Sequence, residues 1–187
     1  TLLYVVSNAA AGTFLTAIAG FLVSRKNFKL ARPLTVFIMF TMIFSGGLIP
    51  TYMVIRSLGF INTRWAIIVP ALMNAYYIIV MKSAFEQLPG AYEESAKLDG
   101  AGPVRILFQI LLPLVKPTLV VIIMFSVIGQ WNSWYPASIY LPRVREKWPL
   151  QLIMRSLLIQ NDVSKLLTSS SEANHVVNMT GNLVKYA

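Results

Sequence analysis

Long uncharged apolar stretches alternate with short polar segments along this chain. Four stretches approach or exceed the ~20 residues that a helix needs to cross a bilayer, and they lie at about 2–23, 34–55, 65–81 and 112–130. The first is rich in Ala, Gly, Ser and Thr, which suits close packing between membrane helices. The pattern predicts an all-α, multi-span transmembrane helix bundle that is incomplete, with about four spans in view.

Two of these spans hold several helix-breaking residues each. Gly46, Gly47 and Pro50 fall inside the second, and Pro113 and Pro117 fall near the start of the fourth. Membrane helices tolerate such residues where neighbouring helices or water satisfy the freed backbone groups. The alternative is a broken helix that lines a polar path, and the sequence leaves both interpretations open.

Composition agrees with a membrane protein and excludes several other classes. Of the 187 residues, 56% are hydrophobic and 12% are charged, against roughly 45–50% and about 25% in soluble domains. The absence of cysteine excludes a disulfide-stapled secreted domain. The formal net charge is +9, but the 16 basic residues are scattered between apolar stretches. We expect them to anchor loops at a lipid bilayer, and we expect no nucleic-acid partner.

The basic residues also predict an orientation in the membrane. The short turn at 25–32 holds four of them and lies close to two spans, where the positive-inside rule acts most strongly. We therefore place 25–32 and 82–111 on the cytoplasmic side. The chain begins with Thr1 inside an apolar stretch, so residues 1–187 are expected to form one transmembrane domain truncated at both ends.

The segment 82–113 is unlike the rest of the chain, because it holds four of the seven acidic residues. Within it, 91–98 is a run of good helix formers, and Glu93 and Lys97 are spaced to form an i,i+4 ion pair. A helix of about two turns is unstable alone in water. We therefore expect a partner protein to pack against 91–98.

The end of this short helix is also specified by the sequence. Gly100 takes the left-handed conformation that ends many helices without the strain that a side chain would add. Pro103 suits the first position of a second helix over 103–112. We therefore expect two short helices joined by a glycine turn.

The same segment resembles the EAA signature of binding-protein-dependent ABC importer permeases. That signature reads E-A-A, three residues, G, nine residues, I, one residue, L-P. The matching residues here are Glu94-Ser95-Ala96, Gly100 and Ile110-Leu111-Leu112-Pro113. Only the middle alanine differs, and Ser95 keeps that position small.

The resemblance implies a type I ABC importer permease fold and a transport subunit that is not an enzyme. In such importers this loop docks on an ATP-binding subunit, and the matching coupling residues are Glu94, Ser95, Ala96, Asp99 and Gly100. ATP and Mg²⁺ would bind to that partner, an ABC ATPase dimer, so this chain is expected to hold no cofactor. The other implied partners are a second permease subunit in a heterodimer and an extracytoplasmic solute-binding protein, at the bacterial plasma membrane.

Three shorter stretches bear on the solute. Residues 98–101 are similar to the carbohydrate, maltose-permease-like branch, and 45–52 and 131–134 resemble the subgroup assigned to complex polysaccharide or oligosaccharide uptake. The expected solute is a sugar or oligosaccharide, and a non-sugar solute for the same machinery is the alternative. An ion-coupled secondary transporter would carry ionisable residues within its spans, and the proposed spans hold only Lys116, near a membrane edge.

Polar and aromatic residues within or beside the spans are candidates for lining the solute path; they are Asn74, Tyr77, Trp131 and Asn132. Asn74 lies near the centre of the third span, where its amide either bonds another helix or faces a wet cavity. Sugar rings commonly stack on aromatic faces, but Trp131 suits an interfacial aromatic belt equally well.

No residue pattern indicates catalysis or metal binding. The sequence contains no catalytic triad, Walker A motif or metal-ligand spacing. The single histidine, His175, lies in a polar segment, 160–182, which we expect to form an exposed outer loop. Residues 150–159 are apolar but too short to cross a bilayer, so we expect a helix packed on the outer surface.

Overall fold

The computed structural model describes residues 1–25 and 28–160, and this part of the chain is helical with no strand. Two helices are long and apolar enough to span a membrane, and two bent pairs bring the possible spans to four. The helices in chain order are α1 (Leu2–Ser24), α2 (Ala31–Ile43), α3 (Leu48–Ser57), α4 (Trp65–Ala71), α5 (Ala75–Glu86), α6 (Ala91–Leu98), α7 (Pro103–Leu114), α8 (Lys116–Asn132), α9 (Tyr135–Tyr140) and α10 (Leu150–Gln160). The all-α prediction is confirmed.

The main core lies between α1, α5, α7 and α8, with one residue from α6. α1 is one apolar helix, as predicted for 2–23, with a π-helical turn at Asn8–Gly12. The rings of Phe21 on α1 and Phe85 on α5 meet edge to face, with centroids 5.9 Å apart. The α7 and α8 residues of this core are Ile106, Leu107, Leu111 and Ile122. Close packing of these side chains holds the spans together near α6, whose Ala96 belongs to the same core.

The second predicted span, 34–55, is wrong as a single helix. α2 ends at Ile43, α3 begins at Leu48, and the two axes differ by 117°. Gly47 stands between them with φ of +81°, a conformation that glycine adopts without strain. The glycines therefore break this helix, as the broken-helix alternative requires, while the polar path that this alternative places at the break stays a prediction.

The third span, Trp65–Glu86, runs beyond the predicted end at 81 and has a local break between α4 and α5. Pro70 lies in α4, and residues 72–74 are not helical. The side-chain oxygen of Asn74 accepts a hydrogen bond from the Tyr76 N–H at 2.9 Å. The polar residue at the centre of this span therefore caps the helix that follows the break.

The fourth span is bent near its start, as the prolines indicated. α7 and α8 differ in direction by 84° on either side of Val115. Pro117 lies in the first turn of α8, where its missing N–H is tolerated but where it prevents a straight continuation from α7. Pro103 stands at the first position of α7, as predicted.

The opposite end of the bundle is a second core under short helices. Its buried residues are Tyr4, Ile67, Ile68, Ala137, Leu141 and Leu152. Leu152 belongs to α10, so this helix packs on the predicted outer end, in line with the expectation for 150–159. The predicted outer loop at 160–182, with His175, lies outside the described residues.

Candidate functional site

The loop that resembles the EAA signature carries α6, whose bounds match the predicted helix. The expected ion pair joins Lys97 Nζ to Glu93 Oε1 at 2.9 Å. Glu93 and Glu94 lie in the first turn and Lys97 in the last, an arrangement that the helix dipole favours. The local part of the sequence prediction is therefore confirmed.

A glycine turn ends α6. Gly100 has φ of +75°; its N–H donates to the Lys97 carbonyl at 3.0 Å, and the Ala101 N–H donates to the Ala96 carbonyl at 2.9 Å. These two bonds form a Schellman motif. No atom lies within 4 Å of where a Cβ on Gly100 would sit, so a side chain there is opposed by backbone conformation alone.

An ion pair that the sequence did not predict joins α6 to α1. Arg25, directly after α1, pairs through Nη1 with Glu93 Oε2. The Arg25 guanidinium also lies over the Phe21 ring, 4.8 Å from its centroid. The end of α1 and the loop therefore lie on the same side of the bundle, as the basic-residue argument required. No local signal marks this pair, because its members are 68 positions apart.

Glu93 is consequently held in its ionised form. Burial acts to raise the pKa of its carboxyl, but hydrogen bonds and charge from Lys97 and Arg25 outweigh burial together, and the pKa lies below its ordinary value of 4.5. At neutral pH this carboxylate carries its full charge and bridges two cations.

One of the implied coupling residues, Ala96, is not available to a partner. We expected a partner protein to pack against 91–98, but the Ala96 side chain is 5% exposed and lies in the core with Ile106 and Leu111. The close approach that a small residue permits is thus to α7 of the same chain. Glu94, Ser95, Asp99 and Gly100 are exposed.

The loop also exposes apolar side chains that the sequence analysis did not single out: Tyr92, Leu98 and Val104. We call these three residues the apolar tip. Leu98 is 89% exposed although it ends an ordered helix. The sequence does carry a signal for this exposure, because Leu98 stands between the charged residues Lys97 and Asp99.

A cavity of about 200 Å³ lies between α1, the break before α5, and α8. Asn74 and Tyr77, two of the solute-path candidates, line it together with Asn8, Thr16 and Gln130. The Asn8 amide donates to Gln130 Oε1 at 3.0 Å, and both residues are buried. Sequence reasoning missed this pair, whose only signal was two uncharged amides within apolar helices.

The other two candidates lie outside this cavity. Trp131 is not among the lining residues, and Asn132 donates its side-chain N–H to the Ile128 carbonyl at 3.0 Å at the end of α8. The neighbouring Trp134 carries the Arg155 guanidinium 3.5 Å from its ring centroid, so a cation already occupies one aromatic face. Gly46, Gly47 and Pro50 do not line the cavity either.

A glycine brings two walls of the cavity into contact. A Cβ on Gly12 would lie 2.8 Å from Asn8 Oδ1 and 2.9 Å from the Leu72 carbonyl oxygen. Gly12 closes the π-helical turn of α1 and Leu72 follows α4.

Within 1–25 and 28–160, no group of three or more His, Cys, Asp or Glu side chains converges as a metal site would require.

Curated proteins that are similar in sequence to this chain are transport permeases. The chain is 36% identical over 179 residues to the polygalacturonan/rhamnogalacturonan transport system permease protein YtcP of Bacillus subtilis, covering 93% of this chain and 62% of that protein. It is 34% identical over 157 residues to the maltodextrin transport system permease protein MalD of Streptococcus pneumoniae, covering 79% and 53%. The chain therefore spans between half and two thirds of the length of these relatives.

A solved structure and a family assignment complete the comparison. The fold matches a chain in the crystal structure of a bacterial ABC transporter that imports the acidic polysaccharide alginate, with a TM-score of 0.82 and 30% identity, over 89% of this chain and 61% of that one. Residues 12–146 match the family described as "Binding-protein-dependent transport system inner membrane component". This chain belongs to that family of inner-membrane transport components.

Proposed function

We propose that this chain is the permease subunit of an ATP-driven importer for a saccharide, and that α6 is where an ATPase subunit acts on it. The observation that carries this proposal is the geometry of the loop. α6 is fixed to its own bundle by Ala96 and Glu93, yet it presents Leu98 almost fully to solvent. An ordered helix with an exposed apolar tip is what a partner groove requires.

The contacts of α6 supply a route from the ATPase to the cavity. The Arg25–Glu93 pair connects α6 to α1, which carries Asn8, and Ala96 packs among residues of α7, which leads into α8 and Gln130. Movement of α6 driven by nucleotide binding would therefore act on both helices that share the Asn8–Gln130 hydrogen bond. Separation of these helices would break that bond and open the cavity.

The chemistry of the cavity suits a polar, hydroxyl-rich solute. Its lining offers amides, hydroxyls and the ring of Tyr77, with no carboxylate, lysine or arginine among the described lining residues. The relatives named for saccharide transport support a sugar or oligosaccharide over another solute. ATP and Mg²⁺ would bind to the ATPase partners, while a second permease subunit and a solute-binding protein complete the importer. The uncharged lining speaks against the ion-coupled alternative.

A matched pair of glycine variants tests the coupling proposal in the full-length transporter. Gly100→Glu places a bulky charge on a left-handed position in the loop, and Gly59→Glu does the same at the opposite end, where φ is +71° and a Cβ also meets no atom within 4 Å. We expect Gly100→Glu to lose ATPase-subunit binding and ATP-driven uptake, with membrane insertion unchanged. Gly59→Glu should keep the ATPase subunit bound.

Two readouts separate coupling from solute identity. Co-purification of the ATPase subunit reports on α6 whichever solute is carried, and normal binding and uptake in Gly100→Glu would refute the coupling role. Uptake of labelled oligogalacturonides and maltodextrins into proteoliposomes, with the cognate solute-binding protein, tests the saccharide assignment. A transporter that is coupled but moves neither class would overturn the assignment for those saccharides and leave the coupling role standing.

A further inference from the structure

We propose that the cytoplasmic ends of α1, α2 and α5 hold the phosphate headgroup of an anionic phospholipid, at a site separate from the solute path. A cavity of about 410 Å³ lies among these three ends. Its basic lining residues are Arg25, Lys29, Arg32 and Lys82, against Glu86 as the acidic one. Basic pockets between spans on the cytoplasmic side favour anionic headgroups.

The charges in this basic cavity are only partly balanced by the protein. Arg25 is paired with Glu93, and Lys82 Nζ lies 2.8 Å from Glu86 Oε1. Lys29 and Arg32 form no ion pair with another described residue. The Nε of Arg25 is buried and has no hydrogen-bond acceptor among the described residues. Two exposed cations without an acidic partner among the described residues therefore line the open volume.

An apolar groove continues from the basic cavity along α2. The groove, of about 550 Å³, is lined by Arg32, Pro33, Val36, Phe37 and Phe40. Positions 33, 36, 37 and 40 follow the helical i, i+3, i+4, i+7 spacing, so they form one face of α2. Arg32 and Val36 line both volumes, so the charged and apolar parts are continuous.

A phospholipid accounts for both parts at once. Its phosphate fits the excess positive charge at Lys29 and Arg32, and an acyl chain fits the groove, which leads from the membrane surface toward the bilayer interior along α2. A free anion would fill the basic cavity and leave the groove empty. A helix of another subunit would cover the groove but would need an acidic residue in the correct place for the two cations.

The proposal is tested by native mass spectrometry of the full-length transporter incubated with phosphatidylglycerol or phosphatidylcholine. The test variant carries Lys29→Gln and Arg32→Gln, and the matched control carries Arg56→Gln and Arg143→Gln, two exposed cations at the other end. We expect the native protein to retain phosphatidylglycerol in preference to phosphatidylcholine. The test variant should bind phosphatidylglycerol about 30-fold more weakly, since each cation near an anionic surface strengthens binding about fivefold. The control should bind this lipid like the native protein.

Other outcomes contradict the proposal in distinguishable ways. Equal retention of the two lipids, or equal retention by the native and test proteins, would show that the basic cavity does not select the headgroup. Displacement of phosphatidylglycerol by millimolar inorganic phosphate would assign the cavity to a free anion. Absence of any retained lipid, together with a crosslink from Phe37 to another subunit, would assign the groove to a protein partner.

Discussion

The two ends of the bundle are held by different kinds of interaction. At the predicted cytoplasmic end, charged side chains form ion pairs: Glu93 bridges Arg25, at the end of α1, and Lys97, within α6, and Lys82 pairs with Glu86 within α5. The same end exposes the apolar tip to solvent. It is ordered, yet it leaves apolar side chains uncovered.

At the outer end, backbone carbonyls accept most of the long-range bonds. The Tyr4 hydroxyl donates to the Lys147 carbonyl at 2.7 Å, and the Asn62 N–H donates to the Tyr140 carbonyl at 2.8 Å. Lys147 Nζ donates to the Asn62 carbonyl at 2.9 Å. Such bonds tie loops and helix ends to one another, whereas at the other end, among the described residues, only the Arg25–Glu93 ion pair joins two elements. Under the proposed coupling, this pair would carry movement of α6 to α1.

The largest effect should come from the apolar tip. Leu98→Asp places a charge where the ATPase groove would bury a methyl-rich side chain, and a lost central contact of this kind costs at least about 2 kcal/mol, or roughly 30-fold in affinity. This loss is measured as the affinity of the ATPase subunit for the permease reconstituted in nanodiscs. The control is Leu58→Asp at the outer end, which is 56% exposed. Equal affinities of the two variants would show that the tip is not a docking surface.

A smaller effect should follow from breaking the link between α1 and α6. Arg25→Glu should lower solute uptake per ATP hydrolysed by about tenfold while ATP hydrolysis continues, because α6 then moves without α1. The charge exchange Arg25→Glu with Glu93→Arg should restore most of the loss. Lys97→Gln, which removes only the pair within α6, should change the ratio less than about twofold. No rescue by the exchange would show that Arg25 acts in some other way.

The smallest effect is a difference in pH dependence between the two ends. Because the folded pKa of Glu93 lies below 4.5, its ionic contribution is fully present above that value and is lost as the pH falls through the lowered pKa. The destabilisation by Glu93→Gln should therefore vanish in acid. Tyr4→Phe, which removes the hydrogen bond to Lys147, should cost ~1 kcal/mol at every acidic and neutral pH. Thermal unfolding of both variants against the native protein gives the comparison.

Local chemistry was predictable from the sequence, and contacts between distant segments were not. The limits of α6, the Glu93–Lys97 pair and the left-handed Gly100 follow from propensity, spacing and the special backbone of glycine. Membrane helices also followed from apolar stretches, but the break between α4 and α5 did not. Pro70 indicates that the helix is disturbed, but it does not indicate where the helix resumes. The helix resumes at Ala75 because the Asn74 side chain caps its first turn.

The burial of individual side chains shows the same limit. Ala96 and Ser95 are both small, so composition does not tell which one faces the bundle; the packing of α6 on α7 turns Ala96 inward. The Asn8–Gln130 bond and the Arg25–Glu93 pair join residues 122 and 68 positions apart. Their partners are chosen by the arrangement of spans, which no single stretch of sequence encodes.

The contact at Gly12 sets a limit on how this chain can change over evolution. A methyl group on that residue would lie 2.9 Å from the Leu72 carbonyl oxygen, which is backbone and has no rotamer through which to retreat. Replacement of Gly12 is therefore expected only together with a change in the break after α4, such as a residue gained or lost near Leu72. In an alignment of relatives, these two places should vary as a pair and should otherwise stay constant.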